Sequence, residues 1–167
     1  MEKMKFTIGI ITSSDSTSAG KRDDLSGPQI ASCCEPYGGV VIESVILPDE
    51  RQQLASAMRR MADVLKVDMI FTTGGTGFSP RDVTPEATLD VIERQVPGIP
   101  EAMRMKSMEF TQKAMLTRQM AGIRGKTLII NLPGSPKAVV QCLEVFLPVV
   151  DHALDVLRGN ASNCAEK

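Results

Sequence analysis

The sequence lacks a surplus of either charge. Its 19 Lys and Arg residues stand against 20 Asp and Glu, a formal net charge of −1. Proteins that grip nucleic acid by its phosphates carry a basic surplus or a basic stripe. The densest basic cluster here is Arg59-Arg60, which argues against a nucleic-acid partner. An anionic ligand would have to be received by backbone N–H groups and helix N-termini. No run of about 18 apolar residues exists, so no membrane-spanning helix is expected. The apolar stretch 6–12 that follows Met1-Glu2-Lys3-Met4-Lys5 is too short and too soon interrupted for a secretory signal. Cysteine is sparse: Cys33, Cys34, Cys142 and Cys164 form no C-x-x-C pair, and adjacent cysteines make a poor disulfide. Buried thiols of a cytoplasmic protein are expected. The one histidine, His152, sits in an apolar helical stretch with no partner at ligand-like spacing, so a structural role is expected for it.

What is present is the composition of an ordinary folded chain, 43% hydrophobic and 23% charged. A single domain over residues 1–167, with its core at about 5–158, can bury one continuous interior. The Val/Ile-rich run 6–12 predicts a buried strand, and 40–47, 67–72 and 127–131 predict three further strands. A helix is expected from about Gly27 to the breaker cluster Pro36-Tyr37-Gly38-Gly39. Another opens at Pro48-Asp49-Glu50, where Leu54, Met58, Met61, Ala62 and Leu65 keep to one helical face. Thr84-Pro85-Glu86 reads as a helix start with Thr as N-cap, proline first and an acid in the first turn. Between Val96 and Arg124 the pattern predicts a helix over about 100–110 and a short strand near 120–123. Ser135-Pro136 repeats the cap-then-proline start, for a helix that Pro148 kinks or splits. The tail after Gly159 is expected to fray, and the ten methionines to fill gaps in the core. Strands alternating with helices predict an α/β fold: three layers, doubly wound, a mainly parallel sheet with helices on both faces.

Every unusual polar or glycine-rich segment follows a strand: 13–24, Pro48-Asp49-Glu50, 73–82 and 132–136. In a parallel sheet these loops emerge together at the carboxyl edge, where ligands bind in this architecture. The turn Thr73-Gly74-Gly75-Thr76-Gly77 can point successive N–H groups at one anion, or can simply be a tight turn. It matches neither G-x-G-x-x-G nor G-x-x-x-x-G-K-[ST]. Leu132-Pro133-Gly134-Ser135, between a strand and a helix N-terminus, is a second anion candidate, with Ser135 equally able to be a plain N-cap. Asp49 and Asp82 lie in different loops of that edge. Two carboxylates facing a polyphosphate repel it unless a hard cation such as Mg²⁺ lies between them. The alternatives are that Asp49 caps the following helix and that Asp82 pairs with Arg81 or caps its own loop. Ser14-Asp15 and Asp24-Leu25-Ser26-Gly27-Pro28 can hydrogen-bond a heteroaromatic edge, or satisfy their own backbone through Asx-type turns.

Together these segments resemble the molybdopterin adenylyltransferase family, including the matching domains of gephyrin and of plant molybdenum-insertion proteins. The resemblance is carried by Ser14-Asp15, Asp24-Leu25-Ser26-Gly27-Pro28 and Leu47-Pro48-Asp49-Glu50. It continues through Thr73-Gly74-Gly75-Thr76-Gly77 into Pro80-Arg81-Asp82-Val83-Thr84-Pro85-Glu86-Ala87-Thr88, and through the stretch 121–135 that ends in Asn131-Leu132-Pro133-Gly134-Ser135. It spans about residues 6–158. Two positions depart from the pattern: Thr117-Arg118 stands where many relatives have Ser-Arg, and Ser13-Ser14-Asp15 where they have Val-Ser-Asp.

The resemblance implies that the terminal phosphate of molybdopterin attacks the α-phosphorus of ATP, giving adenylyl-molybdopterin and pyrophosphate. It makes Asp49 and Asp82 the catalytic, Mg²⁺-holding carboxylates. It assigns Gly74, Gly75, Thr76, Gly77, Asn131, Leu132, Pro133, Gly134 and Ser135 to the nucleotide, and Ser14, Asp15, Ser26, Ser107 and Thr117 to the pterin. It further implies a cytoplasmic homotrimer and a partner that inserts molybdate. The rival expectation is a scaffold of the same superfamily that binds molybdopterin or nucleotide without catalysis.

Overall fold

The computed structural model describes residues 5–160; Cys164, residues 1–4 of the amino-terminal segment and the tail beyond Asn160 lie outside the described residues. The six strands are β1 (Phe6–Ser13), β2 (Gly39–Leu47), β3 (Met69–Thr73), β4 (Arg94–Gln95), β5 (Ala121–Arg124) and β6 (Thr127–Leu132). They form one sheet in the order β2-β1-β3-β6-β5-β4. The β2–β1, β1–β3 and β3–β6 pairs are parallel, and β5 alone runs against both of its neighbours. The helices are α1 (Asp15–Ser18), α2 (Ser26–Cys34), α3 (Arg51–Asp63), α4 (Thr84–Leu89), α5 (Gly98–Met108), α6 (Pro136–Phe146) and α7 (Val150–Arg158).

Strands apolar on both faces dictate two cores, because successive side chains point to opposite sides of a sheet. Ile10, Phe71 and Ile130 face one side, against Ile30 of α2, Met103 of α5, Leu143 of α6 and Leu154 of α7. Ile11, Ile70 and Ile129 face the other, against Leu54, Met58 and Met61 of α3 and Ala87 of α4. Each such side chain taken from water contributes about 1.5–3 kcal/mol. The three-layer α/β expectation is met, and the antiparallel exception lies at the β5–β4 edge, away from the four parallel ends.

The helix starts match the expected caps in part. Thr84 does not cap α4; Val83 occupies the cap position and Thr84 is the first helical residue, with proline following. Glu50, with no side-chain cap bond, precedes α3, so Asp49 is released from the capping role open to it. Ser135 does cap α6, accepting from the Ala138 N–H at 3.4 Å. Pro148 splits the last helix, as proline must when it lacks an N–H: a 3-10 turn over Leu147–Val149 separates α6 from α7. The short helix α1 and the two-residue β4 had no periodic signal to reveal them.

Candidate functional site

The registers fix the site. Ser13 pairs with Leu47, Thr12 with Thr73, and Thr73 with Leu132, so β2, β1, β3 and β6 end level with one another. The chain leaves β1 towards β2 on one side and returns to β3 on the other, which makes the β1–β3 junction the switch point where doubly wound sheets open a crevice. A cleft of about 460 Å³ lies there. Ser13, Ser14, Asp24 and Ser26 line it from the first loop, Thr73 and Gly74 from the second, and Gly134 and Ser135 from the third.

Main-chain and hydroxyl bonds stitch these loops together. The Gly74 N–H donates to the Leu132 carbonyl (3.2 Å) and the Thr73 hydroxyl to the Pro133 carbonyl (2.6 Å). The Ser26 hydroxyl donates to the Gly134 carbonyl (2.7 Å). Ser14 caps α1, its hydroxyl accepting from the Thr17 N–H, and Asp24 accepts from the Thr12 hydroxyl and the Gly27 N–H. Ser14 and Ser26 therefore border the cleft while also serving their own loops.

Asp49 reaches across from the end of β2. Its carboxylate accepts from the Ser13 hydroxyl (2.6 Å) and the Asp15 N–H (2.9 Å), and its own N–H donates to Asp15 Oδ1 (3.0 Å). Asp82 folds back on its own loop, accepting from the Ser79 N–H at 3.0 Å. Both acids border the same glycine turn. A Cβ placed on Gly75 would stand 3.2 Å from Asp49 Oδ1, and one placed on Gly77 would stand 2.9 Å from Asp82 Oδ2. Two carboxylates from separate loops are thus held within two residues of one another along one turn.

Arg81 does not pair with Asp82. Its guanidinium forks onto both Asp15 oxygens (2.9 and 3.0 Å) and reaches Glu50 (2.8 Å). Arg81, followed by the Asp49 N–H, holds the Asp15 carboxyl below its ordinary range, and the two acids in turn raise the Arg81 guanidinium. Asp15, expected on the pterin side, is instead the link that ties the Arg81–Asp82 loop to Asp49. Asn131 is likewise relocated: it is completely buried, donating to the Thr72 and Thr88 hydroxyls (2.9 Å each) and accepting from the Met120 N–H. It braces β6 and does not face the cleft. Leu132 is also buried and offers its backbone alone. Thr76 is buried, its carbonyl bound by the Arg118 N–H (2.8 Å). Ser107 is buried beside Cys142 Sγ (3.8 Å), and the Thr117 hydroxyl donates to Gln119 (3.1 Å). Neither of these two lines the cleft.

Arg118 was missed. It binds the Gly77 carbonyl through Nε (2.8 Å), the Asp82 carbonyl (2.7 Å) and the Glu86 carboxylate. It lies in the stretch 96–124, where no periodicity pointed to the glycine turn. A lysine has one compact ammonium and cannot fill this fork. Arg118→Lys is therefore expected to leave carbonyls of the turn unpaired, at about 2 kcal/mol. At this chain length that is roughly 4–8 °C in a thermal melt; an unchanged melting temperature would show that the fork does not hold the turn. Two of the thiols are poor nucleophiles: burial, then the neighbouring Cys33, pushes Cys34 up to about 12, and burial raises Cys142.

Known proteins resemble this chain over most of its length. A family profile described as "Probable molybdopterin binding domain" matches residues 9–152. A molybdopterin adenylyltransferase of Helicobacter pylori J99 is 41% identical over 162 residues, covering 96% of this chain and 92% of that protein. Gephyrin of Dictyostelium discoideum is 40% identical over 93% of this chain, which spans 23% of that protein. The crystal structure of the molybdopterin biosynthesis enzyme MoaB of Thermus thermophilus superposes with a TM-score of 0.87 at 43% identity, covering 92% of this chain and 97% of that one.

Proposed function

Because the chain belongs to the molybdopterin-binding domain family, we propose that it is a molybdopterin adenylyltransferase of molybdenum-cofactor biosynthesis, using ATP as co-substrate. The observation that carries this is that Asp49 stands beside Gly75 and Asp82 beside Gly77 of one glycine turn, on the switch-point edge of the sheet. In the reaction an oxygen of the molybdopterin phosphate bonds to the α-phosphorus of ATP, and the α–β bridging bond breaks to release pyrophosphate. A phosphate monoester is already largely ionised near neutral pH, so the nucleophile needs no histidine base. What remains for the protein is to align two anions and offset developing charge. The turn Gly74–Gly77 and the capped start of α6 can receive phosphate, and the pterin has the Ser14–Ser26 side of the cleft.

The residues also fit Mg²⁺. Among the described residues no group of three or more His, Cys, Asp or Glu converges on a metal, so a cation held by Asp49 and Asp82 would complete its shell from substrate oxygens. That is the habit of Mg²⁺ in phosphate enzymes, where it shields triphosphate charge. In the same reading the protein works in the cytoplasm as a homotrimer and hands its product to a molybdate-inserting partner. Val40, Val41, Ile42 and Ile46 of the edge strand β2 are exposed and offer apolar surface for assembly. No helix among the described residues is long and apolar enough to cross a membrane.

The test is to mix protein, molybdopterin, Mg²⁺ and α-labelled ATP. Transfer of label to the pterin, dependent on both substrates, is expected. Binding of pterin and nucleotide with no labelled product would support the scaffold reading instead.

A further inference from the structure

Thr84 opens α4 and is completely buried, yet its hydroxyl has no hydrogen-bond partner; Glu86 Oε2 is the other such side-chain oxygen among the described residues. The helix does not use this hydroxyl. The Thr84 carbonyl accepts from the Thr88 hydroxyl (2.8 Å), and the Thr84 N–H donates to the Gly75 carbonyl (3.1 Å). Gly75, at φ +68°, lies directly against it. A methyl group there would run into Thr84 Oγ1 and stand 3.2 Å from both Asp49 Oδ1 and Ser13 Oγ. Three oxygens, from the end of β1, the loop after β2 and the start of α4, thus face one small volume beside the turn, and one of them has nothing to bond.

A buried hydroxyl without a partner is a cost that a fold has no reason to keep, since valine has the same shape without the penalty. The two oxygens that share this volume are Ser13 Oγ, whose proton goes to Asp49, and the Asp49 carboxylate, held in this structure by Ser13 and by the Asp15 N–H; the charged carboxylate is the stronger acceptor. We propose that Thr84 is a positioning residue for Asp49, its hydroxyl donating to that carboxylate once nucleotide occupies the turn and Asp49 moves off the Ser13 hydroxyl. The inference rests on the adenylyltransferase reading and deepens it. Thr84 touches neither substrate; it holds a group that does.

The experiment compares Thr84→Val and Thr84→Ser with wild type, by thermal unfolding of the free protein and by AMP transfer to molybdopterin. Thr84→Val is expected to melt at or above the wild-type temperature. Its kcat should fall about tenfold or more with KM for ATP within about threefold, because the lost bond forms only in the loaded site. Thr84→Ser, which keeps the hydroxyl, should remain within about threefold of wild type in kcat. A wild-type kcat in Thr84→Val overturns the proposal. So does a loss of several degrees in its melting temperature, which would mean that the hydroxyl is already bonded in the free protein. If wild type transfers no AMP, the underlying reading falls and takes this inference with it. That result differs from an active wild type beside an equally active valine variant, which removes only the role of Thr84.

Discussion

Asp49→Asn is expected to fold with a near wild-type melting temperature and to lose on the order of 10²-fold or more in kcat. The fold should tolerate the change because the carboxylate receives one hydroxyl and one N–H. The asparagine oxygen can still accept from Asp15, and its NH₂ can donate to Ser13, whose hydroxyl accepts as well as donates. What asparagine cannot restore is the negative charge at the glycine turn. A neutral amide is a poor ligand for a hard cation, and the charge that offsets the triphosphate is gone. Asp82→Asn should behave alike, since its bond from the Ser79 N–H needs only an oxygen. Steady-state rates of AMP transfer beside thermal melts separate the two effects. A variant within threefold of wild-type kcat would remove that aspartate from the chemistry.

Gly74→Ala should do the opposite and damage the fold first. Gly74 has φ +89°, in the left-handed region, and a Cβ there would overlap the backbone carbonyl oxygen of Ser13. An L-residue in that region costs about 1–2 kcal/mol, and forcing backbone apart adds a similar amount. A total near 3 kcal/mol predicts a drop of roughly 6–12 °C in melting temperature. Turnover should fall too, because Ser13 is both the obstructed residue and a donor to Asp49. Gly134→Ala is the control. Its Cβ would meet only the Gly74 Cα at 3.5 Å, an ordinary contact, so its melting temperature should stay within about 2 °C of wild type. Equal effects at both glycines would show that the turn has more room than its geometry implies.

These two predictions draw on different parts of what could be read from the sequence. The four strand-ending loops, the glycine turn and the aspartate pair were legible because they are local: an apolar run, then a breaker, then a polar residue that no strand needs. Once the sheet is parallel, its topology brings such loops to one edge without further information. The side-chain network was not legible. Nothing near Asp15 indicates that Arg81, 66 positions away, occupies both of its oxygens. Nor does the stretch around Arg118 indicate that its guanidinium reaches Gly77, Asp82 and Glu86. Asn131 shows the converse case. Its place in a loop motif suggested nucleotide contact, but it is the last buried polar position of β6, and its amide is consumed by Thr72, Thr88 and Met120. A buried polar group must satisfy itself within the fold before it can serve a ligand. The Thr84 hydroxyl, like Glu86 Oε2, departs from that rule, and its place beside the glycine turn and Asp49 is what points to function.

The central claim is that Asp49 and Asp82 hold one divalent cation against a polyphosphate at the turn Gly74–Gly77. The most direct measurement is anomalous diffraction from crystals soaked with Mn²⁺ and a non-hydrolysable ATP analogue. The account predicts one peak at about 2.1–2.3 Å from an oxygen of each aspartate, with phosphate density along the turn. A peak bound to neither aspartate, or nucleotide density away from this edge of the sheet, would contradict it.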